Sequence, residues 1–295
     1  MRGDWSLEDR TCLVTGATSG IGQETALGLA REGARVWIVG RDRARGEAAR
    51  AEIARRSGSD RVELLLADLA SLREIRKLAD EARARCRALH VLVNNAGLVN
   101  MRRQESVDGF EATFAVNHVA YYALTNLLLD LLRASAPARI VNVASDVHRF
   151  GSIDWDDLQS VRRYRGLPFV AAMRVYGTSK LLNILFTREL ARRLAGSGVT
   201  ANCLHPGAVS TRLGSNNGAA GQAITSLLRP FMLSPAEGAR TSIHLASSPE
   251  VSETSGRYFA QMRETRCSRA ARSDESARRL WQVSAELTGI GGDAQ

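Results

Sequence analysis

Lysine is almost missing from this sequence: of its 40 basic residues only Lys77 and Lys180 are lysine, and the other 38 are arginine. Such a bias reflects coding preference, and it makes each surviving lysine worth asking about. Cysteine is sparse as well. Cys12, Cys86, Cys203 and Cys267 each stand alone, with no C-x-x-C and no paired spacing. This argues against a disulfide framework or a zinc site and for a reducing compartment. Cys12 and Cys203 fall in apolar runs, where a free thiol serves as a small core residue. No long hydrophobic run is present. The stretch Tyr121 to Leu132 is short and carries Asp130, well below the roughly 20 apolar residues a membrane span needs. The opening Met1-Arg2-Gly3-Asp4-Trp5 lacks the apolar core of a signal peptide. The expectation is a cytoplasmic protein with no membrane span.

The formal charge is +9 over 295 residues, yet it is spread along the chain. Short basic clusters occur at Arg102–Arg103, at Arg162, Arg163 and Arg165, and between Arg263 and Arg279, and none is a run of five like charges. No nucleic-acid recognition module is visible, so nucleic acid is not expected as a partner. A basic surface also suits an anionic, phosphorylated small molecule. The apolar fraction of 44% supports a packed core. No repeats or low-complexity linkers interrupt it, and residues 1–295 read as a single domain.

Apolar runs alternate with helix-length amphipathic segments. The runs are Thr11–Thr15, Arg35–Val39, Val62–Ala67, His90–Asn94, Arg139–Ala144, Val199–Leu204 and Arg257–Ala260. Their hydrophobicity is continuous, as in parallel strands buried on both faces. Helical patterns cover Gly20–Glu32, Arg43–Ser57, Leu72–Cys86, Val107–Ala134, Val170–Ala195, Pro235–Ser247 and Ser273–Leu287. The expectation is an α/β fold: a doubly wound parallel sheet of about seven strands with helices on both faces. Two long connections, 146–174 and 207–234, follow the carboxyl ends of strands, where such sheets place ligands. Both are expected to wall a substrate pocket, and the second is a candidate lid. Its apolar residues Ile224, Leu227, Leu228, Phe231, Met232 and Leu233 suit a hydrophobic substrate, and equally a packed lid or a subunit contact.

The first run enters Thr15-Gly16-Ala17-Thr18-Ser19-Gly20-Ile21-Gly22, and a helix follows. Glycines admit close backbone approach, and a helix N-terminus offers free N–H groups and positive dipole to a pyrophosphate. A glycine-rich turn alone is often only a turn; strand before and helix after make it a nucleotide-binding candidate. Arg41 takes the position after the second strand where an acidic residue would hold a ribose diol. A guanidinium there suits a 2′-phosphate and favours NADP(H) over NAD(H). Asp42 could still serve the diol if the strand ran one residue further. Asp68 closes the third strand, as an acceptor for an adenine amino group or as a helix cap in competition with Ser71.

Tyr176 and Lys180, spaced i and i+4, share a helix face. A cation beside a phenol should lower its pKa from about 10 and give a proton donor or base near working pH. Ser145 ends the fifth strand, placed to hold a substrate oxygen, though serine there is also a turn former. Asn117 sits mid-helix, where asparagine is disfavoured without a task. His118 and His205 belong to no metal spacing and read as structural.

Over nearly its whole length the chain resembles the short-chain dehydrogenase/reductase family. Thr15–Gly22, Asp68, Asn94-Asn95-Ala96-Gly97, Asn117, Ser145, Tyr176 with Lys180, and Pro206-Gly207 with Thr211 carry the likeness. The resemblance implies a Rossmann-type fold and a dinucleotide lined by Gly16, Thr18, Ser19, Gly20, Ile21, Gly22, Arg41, Asp68, Leu69, Asn95, Ala96, Gly97, Pro206, Gly207, Val209 and Thr211. It makes Tyr176 the proton donor and acceptor and Ser145 the anchor of the substrate oxygen. Lys180 would lower the phenol pKa and hold the nicotinamide ribose, and Asn117 would support a water relay to Lys180. A narrower resemblance, to the retinol dehydrogenase-like branch, rests on Asp146-Val147-His148-Arg149-Phe150-Gly151, on 185–190, on Leu204-His205-Pro206-Gly207, and on Gly256-Arg257-Tyr258-Phe259. Against that branch, Ser160–Arg165 looks like extra length, and the amino-terminal membrane anchor of many members has no counterpart. The function implied is hydride transfer between NADP(H) and a carbonyl or alcohol carbon of a small molecule. The alternative is a catalytically silent NADP(H)-binding regulator on the same fold. The helix faces of Val107–Ala134 and Val170–Ala195 leave room for a homo-oligomer.

Overall fold

The computed structural model describes residues 5–209 and 232–291. Thr211, Ile224, Leu227, Leu228, Phe231 and most of the candidate lid lie outside them. In chain order the elements are β1 (Thr11–Thr15), α1 (Gly20–Arg31), β2 (Arg35–Gly40), α2 (Arg43–Ser57), β3 (Val62–Leu66), α3 (Leu72–Arg85) and β4 (Val91–Asn94). There follow α4 (Ala112–Phe114), a π-helical turn (Ala115–Val119), α5 (Ala120–Leu127), α6 (Leu129–Ala134), β5 (Ala138–Val143), α7 (Pro168–Arg193) and β6 (Val199–His205). The described chain closes with α8 (Pro235–Ser247), β7 (Tyr258–Ala260), β8 (Arg263–Glu264) and α9 (Asp274–Thr288).

One sheet joins all the strands in the order β3-β2-β1-β4-β5-β6-β7-β8, eight rather than about seven. All pairings are parallel except the last, in which the two-residue β8 folds back antiparallel on β7. The continuous apolar runs have the expected origin. Successive strand residues serve opposite layers: Leu13, Trp37, Val39 and Leu92 join one cluster with Tyr122, Phe186 and Trp281. Val14, Val36, Ile38 and Val93 join the other with Leu27, Leu29 and Leu245. Thus α3, α5, α7 and α9 cover one face, and α1, α2 and α8 the other. The strand order reverses between β1 and β4, which opens a crevice at their carboxyl ends.

Local chemistry sets the helix ends. Asp42 caps α2 by accepting the Arg45 N–H at 2.9 Å. Ser234 and Glu237 form a reciprocal capping box on α8. α7 begins at Pro168, whose missing N–H has no partner to lose in a first turn. The pattern expected as one helix over Val107–Ala134 starts only at α4, where the Glu111 carboxylate caps the N–H groups of Thr113 and Phe114. It is then interrupted by the π-helical turn and at Leu128.

Candidate active site

The turn after β1 is packed too tightly against its own chain to admit side chains at its glycines. Gly16 and Gly20 adopt φ of +63° and +60°, a region that disfavours side chains. A Cβ on Gly22 would lie 2.4 Å from Asn95 Nδ2 and 2.5 Å from the Gly16 carbonyl, and one on Gly16 would lie 2.7 Å from Ala96 Cα. Thr18 packs over Gly40 at the end of β2, and Ser19 begins α1 without a side-chain cap. The first N–H groups of α1 are therefore left to whatever occupies the crevice. Ile21 lies beside Gly238 of α8. Thr15 Oγ1 accepts the N–H groups of Asn95 and Ala96 at 2.9 and 3.1 Å, while Asn95 Nδ2 donates to the Thr15 carbonyl at 2.8 Å. These bonds lock the glycine turn to the end of β4.

At the rim, β2 stops at Gly40 and leaves Arg41 exposed. Asp42 caps α2 and pairs with Arg45 at 3.5 Å, beside the exposed Arg41. Asp68 Oδ1 accepts the Ala70 N–H at 3.0 Å and forms a turn, while Ser71 caps α3. Leu69 is buried between them. On the other side Gly207 has φ +88°, Pro206 precedes it, and Val209 bridges to Leu233.

Tyr176 and Lys180 lie one turn apart on α7, both buried. Lys180 Nζ donates to the Val143 carbonyl at 2.9 Å, at the carboxyl end of β5. It also stands 5.6 Å from the ring centres of both Tyr176 and Tyr121. Ser145 begins the short 3₁₀ turn Asp146–Phe150, and its side chain stands close enough to the Tyr176 phenol to favour its ionised form. Two glycines bring that turn onto α7: a Cβ on Gly151 would strike the Gly177 carbonyl at 2.5 Å, and one on Gly177 would strike the Val147 carbonyl at 2.7 Å. Asn117 lies in the π-helical turn, a form often found at functional sites. Its side chain accepts the Leu98 N–H at 2.8 Å, donates to the Leu98 carbonyl at 3.0 Å and donates to Ser179 Oγ at 2.9 Å. Ser179 Oγ in turn donates to the Tyr176 carbonyl at 2.7 Å. A Cβ on Gly97 would lie 3.5 Å from both Asn117 Oδ1 and Lys180 Nζ. The segment 95–98 thus joins the glycine turn to Asn117 and Lys180.

The electrostatics differ from the expectation of a lowered phenol. Burial pushes Tyr176 up to about 12, against the opposing influence of Ser145, and burial brings Lys180 down to about 7. In this dry pocket each group loses more by forgoing water than a neutral neighbour returns. The phenol is therefore a proton-bearing group at neutral pH.

Three residues emerge here that sequence reasoning passed over. His148 holds the Ser145 carbonyl, Ser179 links Asn117 to Tyr176, and Tyr121 reaches the Val143 carbonyl at 3.5 Å beside Lys180. His148 stood in a quoted motif and Ser179 inside Y-G-T-S-K, but their partners lie far away in sequence. His118 is a core residue, stacked on Phe114 at 5.5 Å and hydrogen-bonded to Ser284 at 3.0 Å. His205 stacks on Tyr258 at 5.9 Å. The 146–174 connection gives way to α7 at Pro168, and its Tyr164 hydroxyl donates to Glu111 Oε1 at 2.8 Å. Among the described residues no helix is long and apolar enough to cross a membrane.

The comparisons with known proteins agree with this architecture. The family model for short chain dehydrogenase matches residues 10–156 and 164–221. Retinol dehydrogenase 12 of Mus musculus is 43% identical over 281 residues, covering 95% of this chain and 87% of its own. A crystal structure of an uncharacterized protein from Mycobacterium Paratuberculosis shares 33% identity with a TM-score of 0.77, covering 98% of this chain and 97% of that one. The Pseudomonas aeruginosa RhlG/NADP active-site complex shares 30% identity with a TM-score of 0.66, covering 86% and 95%. The chain belongs to the short-chain dehydrogenase/reductase family of oxidoreductases, and within it is retinol dehydrogenase-like.

Proposed function

We propose that this chain is an NADP(H)-dependent oxidoreductase acting on a carbonyl or alcohol carbon of a hydrophobic small molecule. The observation that carries the reading is the convergence of Ser145, Tyr176 and Lys180 at the carboxyl end of β5, beside the glycine cradle. Gly16, Thr18, Ser19, Gly20, Ile21 and Gly22 would receive the pyrophosphate, with Asp68, Leu69, Asn95, Ala96 and Gly97 along the adenosine and ribose path. Pro206, Gly207, Val209 and Thr211 would close the nicotinamide side. Arg41 would meet a 2′-phosphate, since a guanidinium pairs with phosphate through two N–H groups. Hydride exchange with the substrate carbon is the chemistry the nicotinamide supplies when bound.

The protein's own part is orientation and proton transfer. Ser145 Oγ and the Tyr176 hydroxyl hold the substrate oxygen between them, which polarises the carbonyl. Tyr176 then gives its proton as charge develops on that oxygen, and its raised pKa keeps the proton available at neutral pH. Lys180, once charged, stabilises the phenolate left behind. Asn117 acts by fixing Leu98 and Ser179. Phe150, Leu167 and Phe169 stand exposed on the turn after Ser145 and at the start of α7. These side chains favour a hydrophobic substrate over a polar one.

Tyr176→Phe tests the reading. Oxidation of NADPH with a panel of aldehydes and ketones should fall at least about a thousandfold, while NADPH still binds by fluorescence titration. Undiminished turnover in that variant would end the assignment. Absence of turnover in the unmodified protein across the panel would favour the silent regulator.

A further inference from the structure

At the opposite end of the sheet, beside the first residues of β5 and β6, lies a cavity of about 580 Å³. Trp5, Arg10, Pro137, Arg139, Leu194 and Val199 are in its wall. Tyr176 and Ala191, which also lines the cavity, stand fifteen residues apart on α7. At about 1.5 Å per residue, the cavity is roughly 22 Å along the helix from the catalytic tyrosine.

Arg139 is the anomaly of this wall. The residue is 2% exposed. Its Nη1 donates to the Leu245 carbonyl at 3.1 Å, and the Trp5 ring covers it with Cζ 3.9 Å from the ring centre. Among the described residues, Nε and Nη2 have no hydrogen-bond partner. Arg10 Cζ lies 4.1 Å from the same indole, and among the described residues its guanidinium donates only to the carbonyls of Ser6 and Pro137. Two guanidiniums share one ring, and among the described residues no carboxylate pairs with either. Burial, then the like charge of Arg10, brings Arg139 down to about 9, so at neutral pH it remains a cation. Buried donors are almost always satisfied, and an exception calls for an explanation.

The two idle atoms are informative. Nε–H and Nη2–H leave one edge of the planar guanidinium in parallel, the pair that grips both oxygens of a carboxylate. We propose that this cavity is a second ligand site, for a small monocarboxylate with a short apolar tail, gripped through Nε and Nη2 of Arg139. Pro137, Leu194 and Val199 receive the tail, and Arg10 adds long-range attraction. Glu253 on the rim repels more highly charged anions such as phosphate. Both N–H groups are buried, so binding requires the wall around Arg139 to open; the Trp5 ring lies against that guanidinium, so its emission reports binding.

The test titrates the full-length protein with sodium hexanoate, hexanol and inorganic phosphate, following tryptophan emission and melting temperature. Hexanoate should change the emission and raise the melting temperature; hexanol and phosphate should do neither. Arg139→Gln should weaken hexanoate binding about tenfold to a hundredfold. Arg139→Lys keeps the charge but loses the fork, and should also bind about tenfold more weakly if the glutamine variant fails to fold. Trp5→Phe should retain the melting shift and lose the emission change. The proposal is overturned if hexanoate has no effect, if hexanol binds as well, or if an Arg139 variant that folds binds hexanoate unchanged. None of these readouts uses turnover, so the outcome is independent of the redox reading.

Discussion

His148 Nδ1 lies 2.8 Å from the carbonyl oxygen of Ser145, while its Nε2 accepts the main-chain N–H of Ser268 at 3.0 Å. A main-chain N–H can only donate, so Nε2 is the acceptor and the proton sits on Nδ1, donated to Ser145. The imidazole is thus a strut between Ser145 and the segment after β8. The adjoining Arg149 donates to the Arg266 carbonyl at 2.8 Å and ties down the same segment. His148→Phe should reduce kcat about tenfold or more and leave the NADPH dissociation constant within about twofold. His148→Asn, whose amide can replace the Nδ1 donor, should recover much of the loss. A purely structural histidine would give a lower melting temperature with kcat unchanged.

The glycine cradle makes a steric prediction. Gly22→Ala places a methyl group 2.4 Å from Asn95 Nδ2 and 2.5 Å from the Gly16 carbonyl, and one of these is rigid backbone. The turn must open, so NADPH affinity should fall by about tenfold to a hundredfold, measured by fluorescence titration. Tyr176→Phe should leave that affinity intact, which separates binding from proton transfer.

Cofactor choice should respond to Arg41. Arg41→Asp is expected to weaken NADPH about tenfold to a hundredfold and to leave NADH equal or tighter. An unchanged ratio of the two affinities would assign the 2′-phosphate to another residue.

Lys180 should show opposite effects on stability and activity. Its folded pKa of about 7 lies below the usual lysine value, so between pH 7 and about 10.4 the unfolded chain binds more protons than the native one. Stability from this group therefore rises with pH across that window and is lowest below pH 7. Lys180→Met removes the penalty, and at pH 7 should stabilise the fold by up to a few kcal/mol, read by denaturant unfolding. It should abolish turnover at the same time. In the unmodified protein, binding of an anionic dinucleotide at pH 8 should draw a proton onto Lys180. Calorimetry in buffers of different ionisation enthalpy would detect that uptake.

His118 predicts acid sensitivity. Burial brings it down to about 4, so as pH falls from about 6.5 the unfolded state protonates first and stability is lost progressively to about pH 4. His118→Gln should flatten that dependence by up to about 3 kcal/mol, measured as the midpoint of urea unfolding at pH 4.5 and pH 7.

Much of this was legible in the chain. α2 and α8 run as read, because Asp42 and the Ser234–Glu237 box mark their starts by local chemistry. Tyr176 and Lys180 share a face as a short-range i, i+4 pair, whereas Ser145 reaches them through the Gly151–Gly177 packing. The antiparallel β8 was missed, since two exposed residues carry no hydrophobic pattern. The π-helical turn was not legible, since no residue propensity marks it within a continuous helical pattern. The direction of the Tyr176 shift was misread: spacing shows that a cation is near, but not that the pair is cut off from water. His148 escaped notice because its partner Ser268 is 120 residues away.

The paired glycines 151 and 177 have a consequence for how such a protein can diversify. The backbone is pinned to the long helix six residues after the serine, before the chain enters the connection 152–167. Changes at its exposed positions, such as Val161 and Leu167, then fall beyond the pin, and the hydroxyl and the phenol keep their separation. Selectivity for new molecules can then be acquired on one side of the pin, with the reaction chemistry inherited unaltered on the other.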